Sequence, residues 1–350
     1  MKTRAAILET LNQPLVIDQI ELPPLDVGQV LVQVAVSGIC GAQLNEIQGV
    51  KGEDKFLPHL LGHEGGGVVL ETGPGVNQVK AGDHVVMHWR KGAGIQSRTP
   101  QYDWNGRKVN AGWVTTFNEH AIVSENRLTR MDKNVPFEIA ALMGCAVTTG
   151  LGLINNLARL KIGQSIAVLG CGGVGLNVVQ GAAMVSADPI IAIDILDHKL
   201  DMARSFGATH LINTTRADLR AEVRGIVGRA GVDVFVENTG LVKLIEAAYE
   251  LTGPKGRTIL VGVPRHDEDI TIHSLPLHFG KVLTGCEGGD TEPQVDIPRY
   301  LKLFAKGKLD LGRLITHRYP LSEINHALDE VRAGRVGRCA VTLSDGASRN

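Results

Sequence analysis

The sequence predicts an α/β protein of two domains, one β-rich and one built on a doubly wound parallel sheet. Three observations carry that expectation. The chain has 350 residues, more than one ordinary hydrophobic core holds. Up to about residue 146, short alternating or apolar runs are broken by Pro, Gly and Asn turns. From about residue 147, strand-like runs alternate with helical stretches, the rhythm of a parallel sheet covered by helices.

In the β-rich part the strand-like runs are 5–8, 30–36, 66–70, 84–87 and 120–123. Between them, 89–113 is the longest irregular stretch, rich in Gly, Lys, Arg and Asn, with Tyr102 and Trp104, and it reads as a long surface loop. The parallel-sheet part has runs at 166–170, 190–194, 210–213, 233–236 and 258–263. After about residue 288 come a helix over 298–306, a strand over 314–319, a helix over 321–333 and a strand over 338–343. No internal repeat or low-complexity linker separates these segments.

The stretch 165–194 is the most informative. Ile166–Leu169 is apolar without alternation, as in a strand buried on both faces. Gly170, Gly172 and Gly175 follow at GxGxxG spacing, with Gly173 and Val174 between the last two. The first glycine permits a tight turn, the second lets backbone approach a pyrophosphate, and the third lets helix and strand pack closely. A small-residue helix over 174–187 would turn its N-terminal amides toward the phosphates. A second buried run ends at Asp194, where an acid is expected to accept the ribose hydroxyls and repel a 2′-phosphate, favouring NAD(H). Lys199 reads either as a second ribose contact or as an ordinary exposed helix lysine. A purely structural strand–turn–helix is the plainer alternative for the whole stretch.

Composition excludes several classes. A net charge of −1 implies no nucleic-acid or anionic-membrane partner. No apolar run is long enough to span a bilayer, and the first residues enter a strand-like pattern without a signal peptide's apolar region. Cytoplasm is therefore the expected location. Five dispersed cysteines do not resemble a disulfide framework.

Cys40 lies in Ser-Gly-Ile-Cys-Gly-Ala-Gln, His63 and Glu64 in Leu-Gly-His-Glu-Gly-Gly-Gly, and Cys145 in Leu-Met-Gly-Cys-Ala-Val-Thr-Thr-Gly. Two thiolates and an imidazole suit zinc with a fourth position open, and an open position lets a metal polarise a substrate oxygen. Ligands so far apart must be assembled by tertiary structure. Taken singly, the cysteines read as buried thiols and His63 as a core histidine.

In these segments the chain resembles the zinc-dependent alcohol dehydrogenases of the medium-chain dehydrogenase/reductase superfamily. The resemblance runs over essentially the whole chain. It includes 37–41, Gly62-His63-Glu64, Gly82-Asp83, 144–150, Gly170–Gly175, Asp194, Val261-Gly-Val-Pro264, Leu314-Ile-Thr-His317 and Gly337-Arg338. It implies a GroES-like β-barrel catalytic domain over 1–146 and 288–350, and a Rossmann NAD-binding domain over 147–287. It implies that Cys40, His63 and Cys145 ligate a catalytic zinc and that Glu64 lies behind the metal. It further implies that Thr149 faces the nicotinamide, that Val263 is a cofactor contact and that Arg338 reaches the cofactor pyrophosphate. A homo-oligomer, dimer or tetramer, joined through a strand over 281–286, is also implied.

Three departures from the family pattern stand out. The segment after Trp89 has none of the four cysteines that hold a structural zinc in most relatives, so one zinc per chain is expected. Ala42 stands where relatives place the Ser or Thr that takes the alcohol proton; Gln43 replaces the usual Asp, and Asn45 the histidine that often ends the relay. An alanine cannot pass a proton. Candidates nearby by resemblance are Asn45, Glu64 and Thr149, and after them Glu119 and His120. Third, Trp89 falls where relatives put an aromatic pocket wall, and Arg90, Lys91, Tyr102 and Trp104 read as polar-substrate contacts or as solvated loop residues.

The function expected is reversible hydride transfer between a small-molecule alcohol and NAD⁺. The lost relay and the polar loop favour a polyol, sugar or cyclitol over ethanol. The alternative is a binding or structural protein that keeps the fold without turnover.

Overall fold

A computed structural model describes residues 1–50 and 52–343. The chain forms two compact units, Met1–Ala146 with the chain from Glu292 onward, and Val147–Thr291.

The first unit holds a closed barrel and a larger sheet. Strands Lys2–Leu8, Val16–Glu21, Gln101–Trp104, Arg107–Asn110 and His59–Leu60 close the barrel, the last pairing back onto the first. Its core is Ala5, Ile7, Ile20, Leu60, Tyr102, Trp104 and Val109. The 7-stranded sheet runs Leu128–Met131, His84–His88, Glu64–Thr72, Gln29–Gly38, Arg338–Thr342, Ile315–Pro320, with His120–Ser124 also paired to Gln29–Gly38. Gln29–Gly38 is central and buried almost throughout, as its apolar run over 30–36, broken only at Gln33, requires. The C-terminal strand pairs antiparallel with it, Ala340 opposite Gly38, so residues far apart in sequence meet beside the segment that carries Cys40.

The expectation of an irregular loop over 89–113 is corrected here. It contains a hairpin, Gln101–Trp104 and Arg107–Asn110, that completes the barrel. Asn105 and Gly106 both have positive φ, 54° and 82°, the conformation of a two-residue hairpin turn. Tyr102 and Trp104 are not substrate contacts or solvated residues but core. The Ile122 amide donates to the Tyr102 hydroxyl at 2.8 Å, and the Trp104 indole donates to Asp18 at 2.7 Å. A second adjustment concerns the helix placed at 298–306. It runs Pro293–Ala305, with Pro293 in the first turn and Pro298 inside. The first turn needs no N–H from its proline, so Pro293 rather than Pro298 marks the start.

The second unit is a six-stranded parallel sheet in the order His210–Asn213, Ile190–Asp194, Ile166–Leu169, Val232–Glu237, Thr252–Leu260, Val282–Gly285. By sequence order within the sheet this is 3-2-1-4-5-6, the Rossmann arrangement. The order reverses between Ile166–Leu169 and Val232–Glu237, and crevices at such reversals bind ligands. Fully buried side chains such as Ala167, Ile191, Val223, Phe235 and Ala248 join the sheet to its helices. Among the described residues no single helix is long and apolar enough to cross a membrane.

Candidate active site

Cys40, His63 and Cys145 come together in the first unit, their ligand atoms all within 4.8 Å of one another. Each arrives by a different local device. Cys40 is the N-cap of helix Gly41–Ile47, and the Gln43 side chain reaches back to accept the Cys40 amide at 2.9 Å. His63 precedes strand Glu64–Thr72. Cys145 follows Gly144, the end of helix Phe137–Met143; a side chain at 144 would stand 2.7 Å from the Glu64 Cα, so only glycine lets the two segments meet.

The donor set fits zinc. Three ligand atoms this close can touch one ion, and two thiolates with an imidazole are its preferred chemistry. His63 Nε2 is buried and faces the cluster with no hydrogen-bond partner, the position a metal would take. The two sulfurs compete for a single proton. The hydrogen bond from Cys145 holds the Cys40 thiol well below its ordinary range, and the same bond pushes Cys145 well above.

Behind the cluster lies a fully buried ion pair, in which Arg338 Nη2 donates to Glu64 Oε1. Burial raises the Glu64 carboxyl despite the Arg338 charge beside it. Glu64 Oε2 and Arg338 Nε remain buried without partners. Breaking such a pair strands a charge, so the two residues depend on each other.

In the second unit the glycine loop has the shape the spacing predicts. Gly170 has φ +87°, a turn that side-chain-bearing residues rarely adopt. A Cβ on Gly175 would overlap the Gly170 carbonyl, so helix Gly173–Met184 packs onto the strand only through that glycine. A Cβ on Gly172 would meet nothing within 4 Å, which leaves open approach to the backbone there, and no side chain caps the helix. The Asp194 carboxylate accepts the Cys171 amide at 2.7 Å with one oxygen, and the Ile195 and Leu196 amides with the other. It therefore stands beside the glycine turn, where the ribose of a dinucleotide lying on these phosphate-facing amides would fall. This cradle fits such a cofactor.

Residues 26–133 match the family model described as alcohol dehydrogenase GroES-like domain, and residues 173–306 the one described as zinc-binding dehydrogenase. An S-(hydroxymethyl)glutathione dehydrogenase of Escherichia coli is 33% identical over 97% of this chain and 100% of its own. The chain belongs to the zinc-dependent alcohol dehydrogenases of the medium-chain superfamily. Solved structures agree. An alcohol dehydrogenase zinc-binding domain protein from Burkholderia ambifaria superposes with TM-score 0.89 at 28% identity, covering 98% of this chain and 99% of that one. Benzyl alcohol dehydrogenase from Acinetobacter calcoaceticus gives 0.88 at 26%, covering 98% and 100%.

For this alcohol dehydrogenase the remaining expected positions are as follows. Ala42 and Asn45 are half-buried on the helix that starts at Cys40. Trp89 is half-buried, with the Arg90 guanidinium 5.9 Å from its ring. Glu119 pairs with Arg4, and His120 lies within hydrogen-bond distance of the Thr3 hydroxyl. In the second unit Thr149 is buried in helix Ala146–Gly152, and Lys199 is buried in helix Asp197–Ser205 rather than exposed. Val263 is exposed, and its backbone closes on Gly240 beyond the C-terminal end of Thr252–Leu260.

Glu125 was not anticipated from the sequence. It is fully buried, and its carboxylate accepts the amides of Asn77, Gln78 and Ile95 at 2.6, 2.7 and 2.7 Å. Glu125 thus ties the segment after Trp89, at Ile95, to the turn at Asn77–Gln78. Nothing in Ser-Glu-Asn-Arg marks this acid as different from a surface one; only the exclusion of its neighbours from water does.

Proposed function

We propose that the chain is an NAD(H)-linked dehydrogenase with one catalytic zinc per chain, acting on an alcohol that carries a neighbouring hydroxyl. The observation that carries the reading is the Cys40–His63–Cys145 cluster with its unpartnered His63 nitrogen. When bound there, zinc would supply Lewis acidity toward the alcohol oxygen, and the nicotinamide would accept the hydride.

The chain's own residues would do the rest. Cys40, His63 and Cys145 hold the metal; Glu64, locked by Arg338, fixes the charge behind it. Gly170, Gly172, Gly173, Val174 and Gly175 offer backbone to the pyrophosphate, and Asp194 accepts the ribose hydroxyls. For Lys199, Val263, Arg338 and Thr149 we keep the cofactor-side roles that the family resemblance implies. Trp89 narrows the pocket.

Ala42 brings no hydroxyl, so the alcohol's proton would need another acceptor near Asn45, which solvent, the ribose of a bound cofactor or the substrate itself would supply. Relatives are named for S-(hydroxymethyl)glutathione and for benzyl alcohol, so the family alone leaves the alcohol open. A vicinal hydroxyl on the substrate would replace the missing relay, which favours a polyol, sugar or cyclitol.

Edge strand Val282–Gly285, with Phe279 71% exposed before it, supports a homodimer or tetramer paired edge to edge. A cytoplasmic location, and the absence of nucleic-acid and membrane partners, rest on charge and composition.

The test is NADH formation by protein of measured zinc content against ethanol, benzyl alcohol, polyols and cyclitols. Near one zinc per chain and a preference for polyhydroxylated alcohols is expected. Two zincs per chain, or NADP⁺ preferred, would overturn the corresponding part, and ethanol as the best substrate would remove the vicinal-hydroxyl idea.

A further inference from the structure

Gln43 touches two of the three metal-ligating residues at once. It is fully buried on helix Gly41–Ile47. Its Oε1 accepts the Cys40 backbone amide at 2.9 Å, and its Nε2 lies 2.6 Å from His63 Nδ1. A backbone N–H is always a donor, so the amide atom facing it must be the oxygen. That fixes the other end: the Gln43 NH₂ group faces His63 and donates, and Nδ1 is the acceptor.

An uncharged imidazole carries one proton. With Nδ1 accepting, the proton sits on Nε2, the nitrogen aimed at the cluster and otherwise without a partner. A metal on Nε2 needs the opposite tautomer, with the proton on Nδ1. Ligating histidines ordinarily donate that second N–H to a carboxylate, carbonyl or water. Here it would meet the NH₂ of Gln43, donor against donor. Turning the amide over satisfies His63 but sets its NH₂ against the Cys40 amide, again donor against donor. Either way one buried hydrogen bond is lost, and the loss falls on a residue that holds the metal.

We propose that Gln43 is a positioning residue that holds down the zinc affinity of this site, because its amide cannot accept from Cys40 and His63 together. A carboxylate can. A glutamate at 43 would take the Cys40 amide on one oxygen and His63 Nδ1–H on the other, along the same path. The inference rests on the zinc reading above.

The experiment measures zinc affinity by chelator competition on the full chain stripped of metal, for wild type and Gln43→Glu. Disturbing the partner of a ligating histidine ordinarily changes metal affinity by about 10–100-fold, so Gln43→Glu should bind zinc tighter by a factor in that range. Zinc bound by the wild type but no tighter by Gln43→Glu overturns this inference alone. Zinc bound by neither overturns the metal assignment beneath it. A second measurement needs no variant: nitrogen NMR of labelled His63 in the stripped wild type, at a pH where the ring is uncharged. The proton is expected on Nε2; finding it on Nδ1 would also overturn the proposal.

Discussion

A methyl group added to Gly38 would stand 2.8 Å from the carboxyl carbon of Glu64. Gly38 ends the central strand two residues before Cys40, and its bare Cα is what leaves room for Glu64 to lie against Arg338. Gly38→Ala should therefore displace the buried pair while leaving the barrel intact. We expect zinc content to fall and stability to drop by about 1–3 kcal/mol, the usual cost of forcing an extra carbon into a packed site. Metal analysis and thermal unfolding check both; unchanged zinc and unchanged Tm would mean that Glu64 has another place to go.

Asp194 accepts three backbone amides with its two oxygens, so its removal acts on the loop as well as on a ligand. Asp194→Ala should weaken NAD(H) binding and relax discrimination against NADP(H). Asp194→Asn keeps one acceptor and should fall between. Titration of both cofactors against the three proteins decides; a wild type that prefers NADPH would show that the carboxylate does not face the 2′ position.

Glu125 is the centre of the rebuilt segment. In Glu125→Gln the NH₂ group must face either Ile95 or the Asn77–Gln78 amides, donor against donor. Losing hydrogen bonds to a charged group should cost about 1.5–3 kcal/mol. Hydrogen exchange should rise in peptides covering 77–78 and 92–97, with zinc content unchanged. Zinc loss would instead tie this segment to the metal site.

His88 sets an acid limit. It is buried, placed between the Arg90 carbonyl at 2.8 Å and the Thr129 hydroxyl at 3.0 Å, and burial lowers its pKa from 6.5 to about 4. Between those two values the unfolded chain binds a proton that the folded chain refuses. Stability is then full above about pH 6.5 and falls as pH drops toward 4, by on the order of 3 kcal/mol from this group. Tm against pH should decline less steeply in His88→Gln than in wild type; parallel curves would assign the acid sensitivity to other groups.

The second unit was largely legible because its signals are local. Ile166–Leu169, the glycines and Asp194 lie within one βαβ stretch, and the turn that joins them follows from spacing. The Cys40–His63–Cys145 cluster was legible only through the surrounding family segments, since no spacing joins Cys40 to Cys145. Tyr102 and Trp104 were misplaced for a physical reason. Their strands are four residues each, with exposed Gln101, Asp103, Arg107 and Lys108 alternating with three buried side chains, too short to outweigh the polar composition. The Asn105-Gly106 pair between them was the available signal. The choice between amide and acid at 43 was visible in the sequence, but the clash it creates needed both hydrogen-bond distances.

The unit that carries the cysteines is not one continuous stretch of chain. All six strands of the other sheet fall between Ile166 and Gly285. They can therefore pair as soon as that stretch leaves the ribosome. Glu64, by contrast, waits for Arg338, which is 274 residues further on. Until Arg338 has been made, the Glu64 carboxylate has no counter-ion, and the central strand lacks its Arg338–Thr342 neighbour. Synthesis thus has a built-in order, in which all of Val147–Thr291 is made before the last part of the unit that holds Cys40, His63 and Cys145. A chain released before Arg338 would keep Cys40, His63 and Cys145 but lack the cation that settles the charge behind them.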